Sequence, residues 1–87
     1  MSQDYRKLEA DMLALVASLD GVLDEQEGQE VRTFIEVGEY GVAFETLCAI
    51  IKDERKLISE SIATQMVRLA QQMGIDDDHW RNIAKIQ

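Results

Sequence analysis

The spacing of apolar residues most constrains what this chain can fold into, because they recur at intervals of three and four rather than two. That period places apolar side chains on one face of an α-helix, whereas a half-buried strand repeats every second residue. Proline, which breaks helices, is absent, and five glycines divide the chain into segments. Its 87 residues supply enough chain for one core. We therefore expect one all-α domain over residues 1–87.

The pattern predicts a small bundle of four helices plus a short C-terminal fifth helix. The expected helices are, in chain order, Asp4–Ser18, Glu25–Val37 with Asp24 as cap or first residue, Tyr40–Asp53, Ser59–Met73, and a short last one beginning behind Asp76 or Asp77. Gly28 lies inside the second helix, where glycine costs about 1 kcal/mol relative to alanine, so a later start is the alternative. Trp80 in the fifth helix is expected to close the open end of the core, with an exposed interface anchor as the alternative.

The charge balance favours a basic partner. Seventeen acidic residues against nine basic ones give a formal net charge of −8. Such a surface is repelled by nucleic-acid phosphates and by anionic membranes, and it attracts basic proteins. The alternative is that the negative charge only keeps a small protein soluble and has no role in binding a partner. No signal peptide and no stretch long enough to span a bilayer are visible, and Cys48 is a lone thiol, so we expect a cytoplasmic protein.

Residue types that carry catalysis are scarce. His79 is the only histidine, and Cys48 lies on the apolar stripe of the third helix, where a thiol is expected to be buried and inert. The stretch of this sequence that most resembles a metal-binding motif is Asp76 to His79. Neighbouring residues on a helix point in different directions, however, and acids at a helix N-terminus complement its dipole, so a metal site is the less favoured interpretation. We expect no enzyme activity, no metal and no cofactor.

Acidic residues accumulate over the second helix and the turn that follows it. Between Asp20 and Glu30 there are five acids and no base, and the series continues beyond Arg32. A solvated face is one interpretation, and an interface for a partner rich in lysine and arginine is the other. On the second interpretation the candidate binding residues are Asp24, Glu25, Glu27, Glu30, Glu36, Glu39 and Tyr40.

The stretch Phe34–Cys48 carries a resemblance to a known family. Its distinctive residues are Gly38, Glu39, Tyr40, Gly41, Ala43, Glu45 and Leu47. With this pattern the chain resembles the MafI-like immunity proteins of bacterial polymorphic toxin and contact-dependent growth inhibition systems. The likeness covers about the last two-thirds of the chain and includes Met73–Asp76 and Trp80. Phe44 departs from it, because a smaller aliphatic residue is expected there.

The resemblance implies a cytoplasmic antidote that binds a cognate toxin domain, often a nuclease and sometimes an EndoU-type ribonuclease. It does not place the binding site, because the motif also has a structural interpretation. Gly38 and Gly41 are expected to permit a tight turn, Tyr40 to pack under it, and Ala43 to let a neighbouring helix approach. The alternative function is a small acidic helical adaptor or carrier-type protein. A carrier needs a serine in an Asp-Ser-Leu context, which Ser59 and Ser61 lack.

Overall fold

The computed structural model describes residues 5–75, and these form four helices without a strand. The helices are α1 (Tyr5–Ser18), α2 (Glu25–Glu36), α3 (Tyr40–Asp53) and α4 (Glu60–Met73). The all-α class and the four long helices are confirmed. The expected fifth helix, with Trp80, lies outside the described residues. Across 5–75 no helix has both the length and the apolar character needed to cross a membrane.

Helix α1 is the centre of the packing, because it contacts each of the other three helices. Met12, Leu15 and Val16, with Leu19 just after the helix, repeat at helical spacing and are buried. Tyr5 and Leu8 precede them on the same face, where Tyr5 is 54% exposed and Leu8 is only partly buried. The amino-terminal turn of α1 therefore lies at the edge of the core, and its last two turns lie within it.

The core is completed by apolar side chains from α2, α3 and α4, and within 5–75 no polar or charged residue is fully buried. The largest fully buried side chain is Phe44. The remaining helical core residues are Val31, Ile35, Ala43, Leu47, Cys48, Ile51, Ile62, Ala63, Met66, Leu69 and Ala70.

Three buried residues, Leu19, Leu23 and Ile58, lie outside the helices, and of these Leu23 and Ile58 were not found by helical spacing. Each of these two stands directly before the N-cap of a helix, Asp24 for α2 and Ser59 for α4. An apolar residue at this position commonly packs back on the first turn of the helix that follows. The position directly before an N-cap, rather than helical periodicity, is therefore the sequence feature that predicts burial of Leu23 and Ile58.

Helix α2 begins at Glu25 because its N-terminus is closed by a reciprocal capping box. An Asp24 carboxylate oxygen accepts a hydrogen bond from the Glu27 backbone N–H at 2.7 Å, and Glu27 Oε1 accepts one from the Asp24 backbone N–H at 3.0 Å. Such a box satisfies two donors that a helix start otherwise leaves unpaired. The alternative of a later start beyond Gly28 is therefore wrong.

Helix α2 ends in a Schellman motif at Gly38, whose φ is +83°. The Glu39 N–H donates to the Phe34 carbonyl at 2.9 Å, and the Gly38 N–H donates to the Ile35 carbonyl at 3.0 Å. A left-handed residue is needed at this step, and glycine adopts that conformation without steric cost. The expectation for Gly41 was wrong: it lies in the first turn of α3 and has no positive φ, so the turn does not depend on it.

Replacing Gly28 by alanine is expected to stabilise the protein by about 0.5–1 kcal/mol. Gly28 is helical without a positive φ, and an added Cβ meets only Arg32 Nη1, at an ordinary contact distance of 3.6 Å. Alanine reduces the conformational entropy of the unfolded chain, and the folded backbone accepts it. Urea denaturation followed by circular dichroism measures the change, and a lower free energy of unfolding for Gly28→Ala would contradict this account. Gly38→Ala, at a positive φ, is the control and is expected to destabilise.

Candidate functional site

The candidate binding residues do not form one compact cluster, because they are distributed along the whole of α2. Asp24, Glu25 and Glu27 lie at its amino-terminal end, whereas Glu36, Glu39 and Tyr40 lie at the turn into α3, with Glu30 in between. Twelve residues of helix separate the two ends by about 18 Å. The candidate residues therefore form an elongated strip on the surface rather than a compact site.

Two of these acids have partners within the fold. Asp24 and Glu27 form the capping box, and the Glu27 Oε1 also lies 3.0 Å from the ammonium of Lys56, with both side chains 19% exposed. Lys56 reaches this position because the chain turns back after α3 through Arg55, which has a positive φ of 53°. Glu27 therefore joins the start of α2 to the α3–α4 connection, and its carboxylate is committed to the fold.

The remaining acids of the strip are exposed and lack such partners. Within residues 5–75 the ion pairs are Lys7–Asp11 and Lys56–Glu27, and neither involves the other acids of α2 and its turn. Those exposed acids are Glu25, Glu30, Glu36 and Glu39. Their negative charge is left for solvent or for a partner.

Tyr40 is half-buried and links the α2–α3 turn to the start of α1. Its ring stacks on that of Tyr5, with centroids 6.1 Å apart and planes 23° from parallel. Partial burial raises the pKa of the Tyr40 phenol, and the Glu9 carboxylate and Tyr5 add to the effect. Two valines beside the turn, Val37 and Val42, are 67% and 40% exposed. Tyr40 was expected to pack under the turn, whereas the contact that its ring makes is with Tyr5 at the start of α1.

Two cavities lie beside α1, and both depend on tertiary packing that sequence reasoning did not supply. The cavity between α1 and α4 has a volume of about 260 Å³ and is lined by Lys7, Asp11, Ala14, Gln65, Arg68, Leu69 and Gln72. The Gln65 Oε1 is buried and has no hydrogen-bond partner among the described residues. The second cavity, about 400 Å³, lies between the end of α1 and the start of α2. Two candidate binding residues, Asp24 and Glu25, are on its wall.

Cys48 is buried in the core, as expected from its place on the α3 stripe. Burial raises the pKa of its thiol to about 12, and the nearby Glu45 carboxylate contributes. At neutral pH the sulfur is therefore a protonated thiol and a poor nucleophile. In the stretch 5–75 no group of three or more His, Cys, Asp or Glu side chains is arranged to hold a metal ion. His79 and Asp76 to Asp78 lie outside the described residues.

Comparisons of this chain with protein-family models, with curated proteins and with solved structures return no match. The resemblance of residues 34–48 to the MafI-like immunity proteins stays a prediction from the motif.

Replacing Glu27 by alanine is expected to destabilise the protein by about 1–2 kcal/mol, because it removes half of the capping box and the partner of Lys56. Glu30→Ala, on the same helix, removes an exposed carboxylate without a partner and is expected to change stability by less than about 0.5 kcal/mol. Urea denaturation measures both. A double-mutant cycle with Lys56→Met reports the pair itself, and equal effects of Glu27→Ala and Glu30→Ala would refute the structural role of Glu27.

The Cys48 thiol is expected to react with an aromatic disulfide reagent only as fast as the protein opens. In urea, where the thiol regains its ordinary pKa near 9.0, reaction is expected to be fast. Because the folded-state pKa is raised, the stability due to the protonated thiol is present below about pH 9 and is lost as the pH rises through about 12. Absorbance of the released thiolate measures the rate, and rapid native-state labelling at pH 7 would show that Cys48 is accessible.

Proposed function

We propose that this protein is an immunity protein that binds and neutralises a cognate toxin domain, a basic nuclease such as an EndoU-type ribonuclease. In this proposal an acidic helical surface covers the active-site cleft of the toxin in the cytoplasm. The proposal combines the resemblance of residues 34–48 with the charge distribution of α2. It requires no catalytic group in this chain.

The observation that carries the proposal is the contrast between Glu27 and the exposed acids on the same helix. Glu27 has a lysine partner, whereas Glu25, Glu30 and Glu36 have none within the described part of the chain. These three acids are five and six residues apart, so they do not form the i, i+3 or i, i+4 pairs in which charges on a helix interact directly. A partner surface that supplies lysine and arginine would gain charge pairs with each of them.

The geometry of the strip suits a cleft rather than a single contact point. Glu25 and Glu36 are about three helical turns apart, so they lie on nearly the same side of α2, whereas Glu30 lies about 120–140° round the helix from them. Val31 and Ile35, about 80–120° round the helix from Glu25, are buried in the core. A nuclease cleft that binds a phosphate backbone presents a row of positive charges, and an acidic helix laid along it competes for those charges. The same contacts would then both bind the toxin and block its active-site cleft.

The alternative of an adaptor uses the same acidic surface with a different partner, and only the partner distinguishes the two. For the carrier-type alternative, the relevant hydroxyl is that of Ser59 at the start of α4. Its oxygen accepts a hydrogen bond from the Ile62 N–H at 3.1 Å and so caps the helix. The structural role of Ser59 gives the carrier interpretation no support.

The first test is functional rescue. A toxin domain encoded beside the gene for this protein is expressed in a bacterial host with and without this chain. Growth restored by this chain, together with a purified complex of the two proteins, is the expected result. A toxic domain that this chain neither binds nor neutralises would refute the proposal. Binding of a partner that is not toxic would instead support the adaptor alternative.

Reversing charge on the strip is expected to weaken the complex more than reversing charge elsewhere. Glu30→Lys with Glu36→Lys is expected to raise Kd by about 10- to 100-fold at low salt, mainly through slower association, and to flatten its salt dependence. The control is Asp53→Lys with Glu54→Lys, which changes the net charge equally at the end of α3, where both acids are exposed. Surface plasmon resonance at two salt concentrations measures both, and an equal effect of the two pairs would mean that only net charge matters.

A further inference from the structure

The turn between α2 and α3 exposes a group of large apolar side chains. Its members are Tyr5, Val37, Tyr40 and Val42, which we call the turn patch. Of the five large apolar side chains exposed within residues 5–75, three belong to it. Val37, at the C-cap of α2, is 67% exposed, so the core gains little from it. Apolar residues exposed singly are ordinary, whereas a group of them at one place marks an interaction surface.

The residues of the turn patch are close enough to contact one partner at the same time. The stacked rings of Tyr5 and Tyr40, with centroids 6.1 Å apart, bring the start of α1 to the turn. Val37 and Val42 are five residues apart, and even a fully extended chain of that length spans only about 17 Å. A standard protein interface buries about 800 Å² on each partner, which is a patch about 30 Å across. One interface therefore covers the whole turn patch.

The charge around the turn patch distinguishes a basic partner from a second copy of this chain. From position 33 to position 51 the sequence has three acids and no base, and two of these acids, Glu36 and Glu39, flank the turn and are exposed. Glu39 is the N-cap residue of α3, yet its side chain makes no capping hydrogen bond. Two copies that met through this turn would bring like charges together, whereas lysine and arginine are attracted to them. The charge therefore favours a basic partner.

We propose that the turn patch is the anchor of the partner interface and receives an apolar side chain of the partner that is flanked by lysine or arginine. The apolar side chain contacts Val37 and Val42 beside the tyrosine pair, and the basic residues pair with Glu36 and Glu39 at the rim. In interfaces of this kind an apolar centre supplies most of the affinity and a polar rim supplies less. The inference rests on the proposed function for the identity of the partner, and it places the anchor at one end of the acidic strip.

The apolar centre is tested by replacing its two valines. Val37→Thr with Val42→Thr keeps the β-branched shape and exchanges two methyl groups for hydroxyls. This pair is expected to raise Kd for the toxin domain encoded beside the gene about tenfold, mainly through faster dissociation. The control is Leu57→Thr, which removes the most exposed large apolar side chain of residues 5–75, beyond the far end of α3, and is expected to leave Kd unchanged. Surface plasmon resonance measures both rate constants, circular dichroism verifies folding, and an equal effect of Leu57→Thr would overturn the anchor.

Neutralising acids at the two ends of α2 separates a localised anchor from a diffuse strip. Glu36→Gln with Glu39→Gln is expected to raise Kd about fivefold at low salt, mainly through slower association. Glu25→Gln with Glu30→Gln changes the net charge equally, away from the turn, and is expected to raise Kd less than about twofold. Equal effects of the two pairs would overturn the anchor and leave the binding of the toxin in place.

Two other occupants of the turn patch give distinct results in the protein alone. A second copy gives a dimer in analytical ultracentrifugation that Val37→Thr with Val42→Thr dissociates. The chain's own carboxy-terminal segment gives a change in the fluorescence of Trp80, the only tryptophan, in the same variant. The expected result is a monomer whose Trp80 fluorescence the variant leaves unchanged, and either of the other results overturns the proposal.

The anchor and the immunity function fail in different ways. If the toxin domain is bound and neutralised equally by the unchanged protein and by Val37→Thr with Val42→Thr, the anchor is refuted and the immunity function stands. If a basic protein that is not toxic binds through Val37 and Val42, and the toxin domain does not bind, the anchor stands and the immunity function is refuted. If neither binds, both are refuted.

Discussion

The apolar stripe at the end of α1, from Met12 to Leu19, is covered by all three other helices, and the remainder of the fold depends on that burial. A domain of this size buries only about 60–65% of its unfolded surface, so its margin of stability is small. Cys48 is a free thiol, and within the described chain no buried ion pair is present. Hydrophobic packing around α1 therefore supplies most of the stability. Residues 34–48 supply the turn between α2 and α3, whereas α1 joins the bundle together.

Because α2 packs on α1 and α3 through one side only, its other side remains available for function. The acids on it divide into two groups. Glu27 and Asp24 close the start of the helix and connect it to Lys56. Glu25, Glu30 and Glu36 are exposed and add nothing to the fold that the structure shows. A single run of acidic residues thus contains both structural residues and candidate binding residues. Only their hydrogen-bond and ion-pair partners in the structure distinguish the two kinds.

The helical class, the length of each helix and most of the core could be predicted because they follow from local rules. Phe44, Leu47 and Ile51 are buried at helical spacing along α3, and Ser59 and Gly74 mark the ends of α4 where capping chemistry places them. Spacing did not find Leu23 and Ile58, because loop residues have no period. The structural interpretation of the motif misassigned Gly41, because a glycine in a Gly-x-x-Gly turn and one in the first turn of a helix look the same in sequence.

By itself the sequence determined the four helices, their order and the acidity of α2, since each depends on neighbours within a few residues. Only the tertiary structure decided what Gly28 and Glu27 do. Within α2 alone Gly28 is a residue of low helix propensity, and it is buried only because α2 packs in the bundle. Glu27 is one acid among several until Lys56, far along the chain, lies 3.0 Å from its carboxylate. Both outcomes depend on distances between residues remote in sequence, and these are set by how the helices pack.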